Sequence, residues 1–160
     1  MDAWPDRRVW SELQIRLATD DGWTLVEGPI IDRSIAPMRS FVAEPMQFGR
    51  LFLAGDAAHI VPATGAKGLN LAISDVRALA EAIVLRERSR DERGLAGYTE
   101  RCLRRVWRVQ DFSWWMSSML HRLPDDGFGG RLQRAQLEWL VTSESAARSL
   151  AENYVGLPFA

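Results

Sequence analysis

Apolar residues recur at helical spacing through the second half of this chain, whereas the first half shows mostly short extended runs broken by proline. Leu69, Ile73, Val76, Ala80 and Ile83 fall at steps of four, three, four and three, which predicts a helix over 69–88. A charged, glycine-containing link over 89–94 follows. Leu95, Tyr98, Cys102, Val106, Val109, Phe112, Met116 and Leu120 then repeat at threes and fours and predict a long helix over 95–121. After a loop over 124–130, Phe128, Leu132, Ala135 and Trp139 form another stripe, and Thr142-Ser143 is placed to cap a last short helix ending near Asn153. At the other end, Pro5 and Asp6 suit a helix start, and Val9, Trp10, Leu13 and Leu17 give it an apolar face through about Ala18. Asp20-Asp21-Gly22 reads as a turn. The runs 23–26 and 30–42 read as extended, with Pro29, Pro37 and Pro45 marking edges or breaks. Residues 51–54 read as a short buried strand.

One stretch organises the rest. Residues 49–76 read GRLFLAGDAAHIVPATGAKGLNLAISDV: an apolar run, an acidic turn at Gly55-Asp56, a loop with Pro62, Gly65 and Gly68, then the helical stripe. Strand, acidic turn, glycine loop and helix together deliver a helix N-terminus, with its free N–H groups, to a ligand. Asp56 is able to accept hydrogen bonds from a polyol, or to cap the loop or the next helix. The backbone at Gly65, Gly68, Leu69 and Asn70 is able to meet an electron-rich ring edge, or the glycines only permit the turn. Lys67 either adds positive potential at the loop or is simply solvated, and His59 reads first as a packing residue.

Composition narrows the classes. With 47% apolar and 26% charged residues over 160 positions, the chain fits a globular protein, and the length prior is one domain. A formal charge of −1 offers no electrostatic footprint for nucleic acid or an anionic membrane. Lys67 is the only lysine, which draws attention to its place inside the glycine loop. Cys102 is alone, so neither a disulfide framework nor a metal cluster is expected, and a reducing cytoplasm is the default compartment. No signal-peptide pattern and no run of eighteen apolar residues is present.

GDAAH with the loop behind it resembles the second FAD-binding motif of the class A FAD-dependent aromatic hydroxylases. SIAPMRSF ahead of it, and FSWWMSSMLHRLP and AENYVGLPF behind it, extend the resemblance over nearly the whole chain, to the C-terminal part of the 4-hydroxybenzoate 3-monooxygenase branch. The family begins with a dinucleotide-binding fold carrying GxGxxG, which this sequence lacks. The resemblance therefore implies the last two-fifths or so of such an enzyme. The expected fold is α+β, a single partial domain: strands and one helix over 1–54, the FAD-binding loop over 55–70, and helices over 71–160.

The resemblance also implies roles. FAD contacts carry over to Asp56 (the ribityl chain) and to Gly68, Leu69 and Asn70 (the ring), with Lys67 adding charge beside them. Arg39 in APMRSF falls where the family has an arginine near the nicotinamide nucleotide, NADPH. Ala63 and Thr64 fall at the substrate phenol, in a Pro62-Ala63-Thr64 segment where the family has Pro-Pro-Thr. Tyr154 matches the tyrosine of the chain that withdraws the phenol proton, and is the expected catalytic residue. The implied reaction takes 4-hydroxybenzoate and O2 to 3,4-dihydroxybenzoate in a homodimer, with Trp114, Trp115, Met116 and Met119 as core or subunit interface. By itself the chain is expected to be inactive. The alternatives are a related hydroxylase of another phenol and a non-catalytic fragment that associates through its helices.

Overall fold

The computed structural model describes residues 4–35, 37–121 and 127–156. They fall into two compact units, Met1–Pro37 and Met38–Ala160, and the architecture is mainly helical with a few short strands, as an α+β chain requires.

The first unit carries helix α1, Asp6–Arg16, entered from Pro5 and charged as its dipole prefers, with Asp6 in the first turn and Arg16 in the last. Behind it, Asp21 accepts from the Thr19 hydroxyl and from Trp23 N–H at 3.1 Å. Those two bonds, the hydroxyl first, hold its carboxyl below the usual range. The extended run predicted over 23–26 finds no strand partner. Gln14 on α1 takes that place, accepting from Leu25 N–H at 2.9 Å and donating to Leu25 C=O at 2.6 Å. One side-chain amide thus satisfies both backbone groups of an otherwise unpaired residue.

In the second unit β1, Phe41–Val42, pairs antiparallel with β4, His59–Ile60, and β2, Gln47–Phe48, pairs with β3, Leu51–Phe52. Gly49 makes the turn between β2 and β3 with φ +57°, a conformation glycine takes without penalty. The strand expected to be buried over 51–54 is an edge strand instead, with Leu51 exposed. Of the extended run predicted over 30–42, only β1 joins a ladder.

The helices follow the periodicity closely. Helix α2 spans Gly68–Ser89 and α4 spans Tyr98–Leu120, with the four-residue α3, Arg93–Ala96, split off at Gly97, which ends one helix and begins the next. Helix α5 is Gly129–Thr142, and α6 is Glu144–Val155, capped by Ser143, whose Oγ accepts from Ala146 N–H. Tyr154, expected in a tail beyond the last helix, lies inside α6. The loop predicted over 124–130 lies partly outside the described residues. No helix among the described residues is long and apolar enough to cross a membrane.

Two cores result. Met46, Ala58, Leu71, Ala78, Tyr98, Cys102 and Val106 join the strands to α2 and α4, and Phe112, Met116, Met119, Leu140 and Ala146 join α4 to α5 and α6. Met116 and Met119 are thus core, while Trp114 beside them is exposed. The stripe that announces α2 is not its buried face: Leu69, Ile73, Val76 and Ile83 are exposed, and Leu71, Ser74, Asp75, Ala78 and Ala82 point inward. Small residues on that inner face let α3 approach closely, so that a Cβ added at Gly94 would stand 3.0 Å from the Ala82 methyl.

This reversed face gives a direct prediction. Leu71→Ala opens a cavity in the first core and should cost about 2–5 kcal/mol, whereas Leu69→Ala should stay within about 0.5 kcal/mol. Denaturant midpoints of the two variants measure the difference, and equal losses would contradict this packing.

Candidate functional site

The site is built where β3 runs into α2. The chain leaves β3, makes a 3-10 turn at Gly55–Ala57, returns through β4, makes a second 3-10 turn at Ala63–Gly65, and enters α2. Gly55 holds φ +62° and packs so close to α2 that an added Cβ would stand 3.3 Å from the Ala72 methyl. Its N–H donates to Asp75 Oδ2 at 3.0 Å. The same oxygen accepts from His59 Nε2 at 2.6 Å, and both side chains are buried. His59, read first as a packing residue, is therefore in the core and hydrogen-bonded there to a carboxylate. Asp56, the next residue after Gly55, is exposed, and it caps neither the turn nor α2.

The second turn leans on α4. The Thr64 and Ser117 hydroxyls are 2.8 Å apart, and Thr64 Oγ1 lies 3.5 Å from Met38 Sδ. Ala63, exposed, has its carbonyl engaged by Ala66 N–H at 2.9 Å. Ala66 then takes the left-handed conformation, φ 50° and ψ 39°, and turns the chain into the helix. Lys67, the residue before α2, carries no side-chain cap, and the first intrahelical bond runs from Leu71 N–H to its carbonyl at 3.0 Å. The N–H groups of Gly68, Leu69 and Asn70 are those that a helix start leaves open.

Lys67 departs most from the solvated lysine that its loop position suggests. It is 7% exposed, and its ammonium donates to the Tyr154 carbonyl and lies 5.2 Å from the Tyr154 ring centre and 5.5 Å from that of Phe112. Burial, and then the neighbouring Arg105, push its pKa below the ordinary lysine range. The ring of Tyr154 meets Phe112 edge-on at 6.4 Å. A cleft of about 280 Å³ opens beside this helix end, lined by Lys67, Asn70, Ile73, Arg105, Arg108 and Phe112 among others. Positive side chains and a helix N-terminus here favour an anion or the electron-rich edge of a ring.

The fold thus gathers Lys67, Gly68, Leu69, Asn70 and Tyr154 at one place. Ala63 and Thr64 occupy the preceding turn, and Asp56 the turn before that. Arg39 is exposed ahead of β1. Sequence reasoning missed Asp75. An acidic residue between Ile73 and Val76 of the helical stripe, sixteen positions from a histidine, was the available signal.

Gly65 has a steric reason. A Cβ there would lie 3.0 Å from Ser113 Oγ and 3.4 Å from Lys67 Cγ. The Ser113 hydroxyl is itself buried and finds no partner among the described residues. Ser113→Ala should therefore be neutral or stabilising, since it removes an unsatisfied group. Gly65→Ala should cost about 1–3 kcal/mol by overpacking. In the double variant the loss should shrink by more than about 0.5 kcal/mol relative to the sum, a coupling read from thermal or denaturant unfolding of the four proteins.

Comparison with known proteins bears on what this arrangement holds. The chain is 50% identical to p-hydroxybenzoate hydroxylase of Acinetobacter baylyi over 99% of its own length and 40% of that protein's, so it spans about two-fifths of this relative. A shorter stretch of 33 residues, 21% of the chain and 7% of the relative, is 64% identical to rifampicin monooxygenase of Streptomyces venezuelae. A family model described as an FAD binding domain matches residues 1–113, which include both turns, the glycine loop and all of α2. By that match, which covers more than half of its residues, the chain belongs to the FAD binding domain family.

Proposed function

We propose that this chain supplies the ring, ribityl and substrate-phenol contacts of an FAD-dependent monooxygenase that hydroxylates 4-hydroxybenzoate to 3,4-dihydroxybenzoate, with NADPH as reductant and O2 as oxidant. The observation that carries the proposal is the Lys67 ammonium donating to the Tyr154 carbonyl. It draws the expected flavin-binding helix start and the expected proton-transfer tyrosine to one place, although 87 positions separate them in sequence.

The groups present suit the cofactor. Asp56 has a carboxylate committed to no cap and open to solvent, fit to accept from the hydroxyls of a ribityl chain. Backbone N–H groups at Gly68, Leu69 and Asn70, with the α2 dipole behind them, suit the electron-rich pyrimidine edge of a flavin. Lys67 adds a cation whose burial limits screening by water. FAD, when bound, supplies the redox chemistry that activates O2. Around it the chain's own groups would act on the substrate: the Ala63 carbonyl and Thr64 at the phenol oxygen, and the hydroxyl of the exposed Tyr154 as a relay that accepts the phenol proton while passing its own on toward solvent. Drawing that proton off raises electron density on the ring carbon ortho to the oxygen, the carbon to be hydroxylated. Arg39 is assigned to the NADPH phosphates. The exposed Trp114 and Trp139 support a subunit interface in the intact homodimer.

Two substitutions test this in a protein that joins the chain to a matching dinucleotide-binding part. Asp56→Ala should weaken FAD by about 1.5–3 kcal/mol, roughly one to two decades, measured by flavin fluorescence; an unchanged dissociation constant removes Asp56 from the site. Tyr154→Phe keeps the ring against Phe112 and Lys67 and removes only the hydroxyl. Hydroxylation should slow by roughly ten- to ten-thousand-fold, with 4-hydroxybenzoate affinity little changed. NADPH oxidation should continue, so product formed per NADPH consumed should fall. Parent rate with full coupling would make Tyr154 a packing residue.

A further inference from the structure

Among the described residues one histidine–carboxylate pair is buried. Asp75 and His59 have side chains only 2% and 1% exposed, while the arginine–carboxylate pairs lie at the surface. Taking a carboxylate out of water is costly, and a hydrophobic pair of similar volume is often as stable. The pair therefore invites a reason other than stability, and its geometry supplies one.

Asp75 Oδ2 accepts from two donors on opposite sides of the acidic turn: Gly55 N–H at 3.0 Å and His59 Nε2 at 2.6 Å. Gly55 opens the 3-10 turn and His59 opens β4, so one oxygen anchors the chain immediately before Asp56 and again three residues after it. Helix α2 touches the same turn a second time through Ala72, one helical turn before Asp75, so a side chain at Gly55 would press on the Ala72 methyl. His59 is fixed in its turn by the β1 ladder, where it stands opposite Val42. Between these two anchors Asp56 and Ala57 are exposed. Backbone bonds from Ala58 N–H to Gly55 C=O at 2.8 Å and from Ala43 N–H to Ala58 C=O at 2.7 Å shape the segment itself, and the two bonds to Asp75 tie it to α2.

We infer that Asp75 is a positioning residue for flavin binding: with His59 it holds the 55–59 segment so that the Asp56 carboxylate points outward from the head of α2. This rests on the flavin role proposed for Asp56. Its specific claim is that a buried hydrogen-bond acceptor on the helix, rather than apolar packing, sets the aim of that carboxylate. An uncharged acceptor of the same shape should therefore serve, because one amide oxygen is able to receive both donors.

The test compares Asp75→Ala, which removes the acceptor, with Asp75→Asn, which keeps one. Leu140→Ala in the second core serves as a control for lost stability. Two quantities are read: hydrogen exchange at the Gly55 amide in this chain, and FAD affinity in the joined protein described above. Asp75→Ala should speed exchange at Gly55 and weaken FAD, each by roughly ten-fold or more. Asp75→Asn should restore most of both, and Leu140→Ala should leave FAD affinity near the parent value. Exchange at the parent rate in Asp75→Ala overturns the inference, as does a Leu140→Ala protein that loses as much FAD affinity. If Asp75→Ala does not fold, His59→Leu against His59→Gln asks the same question: leucine fills the space without a donor and glutamine keeps one, so equal FAD affinity in the two overturns the inference. The two readings fail separately. Parent FAD affinity in Asp56→Ala overturns the role of Asp56, whereas weakened affinity there with parent affinity in Asp75→Ala overturns only the role of Asp75.

Discussion

A carboxylate in the core is the constraint around which the second unit is arranged. Asp75 is held among Tyr98, Cys102 and the strand ends, hydrogen-bonded to His59 and to Gly55 N–H. Its presence marks its neighbours. Burial first, and then the Asp75 charge, push the Cys102 thiol up to about 12, so this lone cysteine stays protonated and unreactive at neutral pH. Burial is also the main reason that the Tyr98 phenol is raised, with Cys102 and Asp75 adding to it. Protonated, Tyr98 donates to the Leu53 carbonyl at 2.8 Å and stacks edge-on against Phe52 at 5.4 Å. Helix α2 thus accepts the turn at Gly55, while Tyr98 at the start of α4 secures the strand leading into it.

Helix α4 forms the other wall, and its polar residues matter as much as its apolar ones. Gln110, nearly buried, donates to the Ile60 carbonyl at 2.7 Å and so ties the end of β4 to α4. One and two turns further on, Ser113 stands against Gly65 and Ser117 meets Thr64. Strand ends, glycine loop and helix start are therefore registered against one helix. Lys67 completes the frame by joining the loop to α6, with Phe112 of α4 beneath its ammonium.

What was legible in the sequence follows from which physics acts locally. The α4 stripe was read correctly at 98, 102, 106, 112 and 116, which face one of the two cores, but its ends were not: Leu95 belongs to α3 and Leu120 is exposed. The helix at 68–89 was found from its period, yet its buried face was not the one the large residues marked. Ala78 and Ala82 pack inward because close helix approach selects small side chains, a requirement set by α3 and α4 and invisible in a hydropathy pattern. Turn and loop chemistry was legible at Gly55, Gly65 and Ser143, where a backbone angle, a near contact or a cap demands particular residues. Lys67 and Asp75 were not, since their burial is decided by partners 87 and 16 to 20 positions away. Strands over 23–42 were over-read because β-branched residues also favour extended backbone with no ladder; at Leu25 the partner is a glutamine side chain.

Ala63 shows how the fold bears on a departure from the family's pattern. A proline would fix φ near −65°, and alanine gives up that restraint. In this chain the residue opens a 3-10 turn, whose φ of about −50° to −70° overlaps the proline range. The turn is closed by Ala66 N–H donating to the Ala63 carbonyl, and preceded by Pro62 at φ −54°. Backbone hydrogen bonding and the neighbouring proline therefore supply much of the restraint that a second proline would have given. The carbonyl has a second lone pair beyond the one that Ala66 takes, on a residue that is exposed. What alanine adds is a backbone N–H and a larger unfolded-state entropy, so its cost falls on the stability of the loop more than on the direction of the carbonyl.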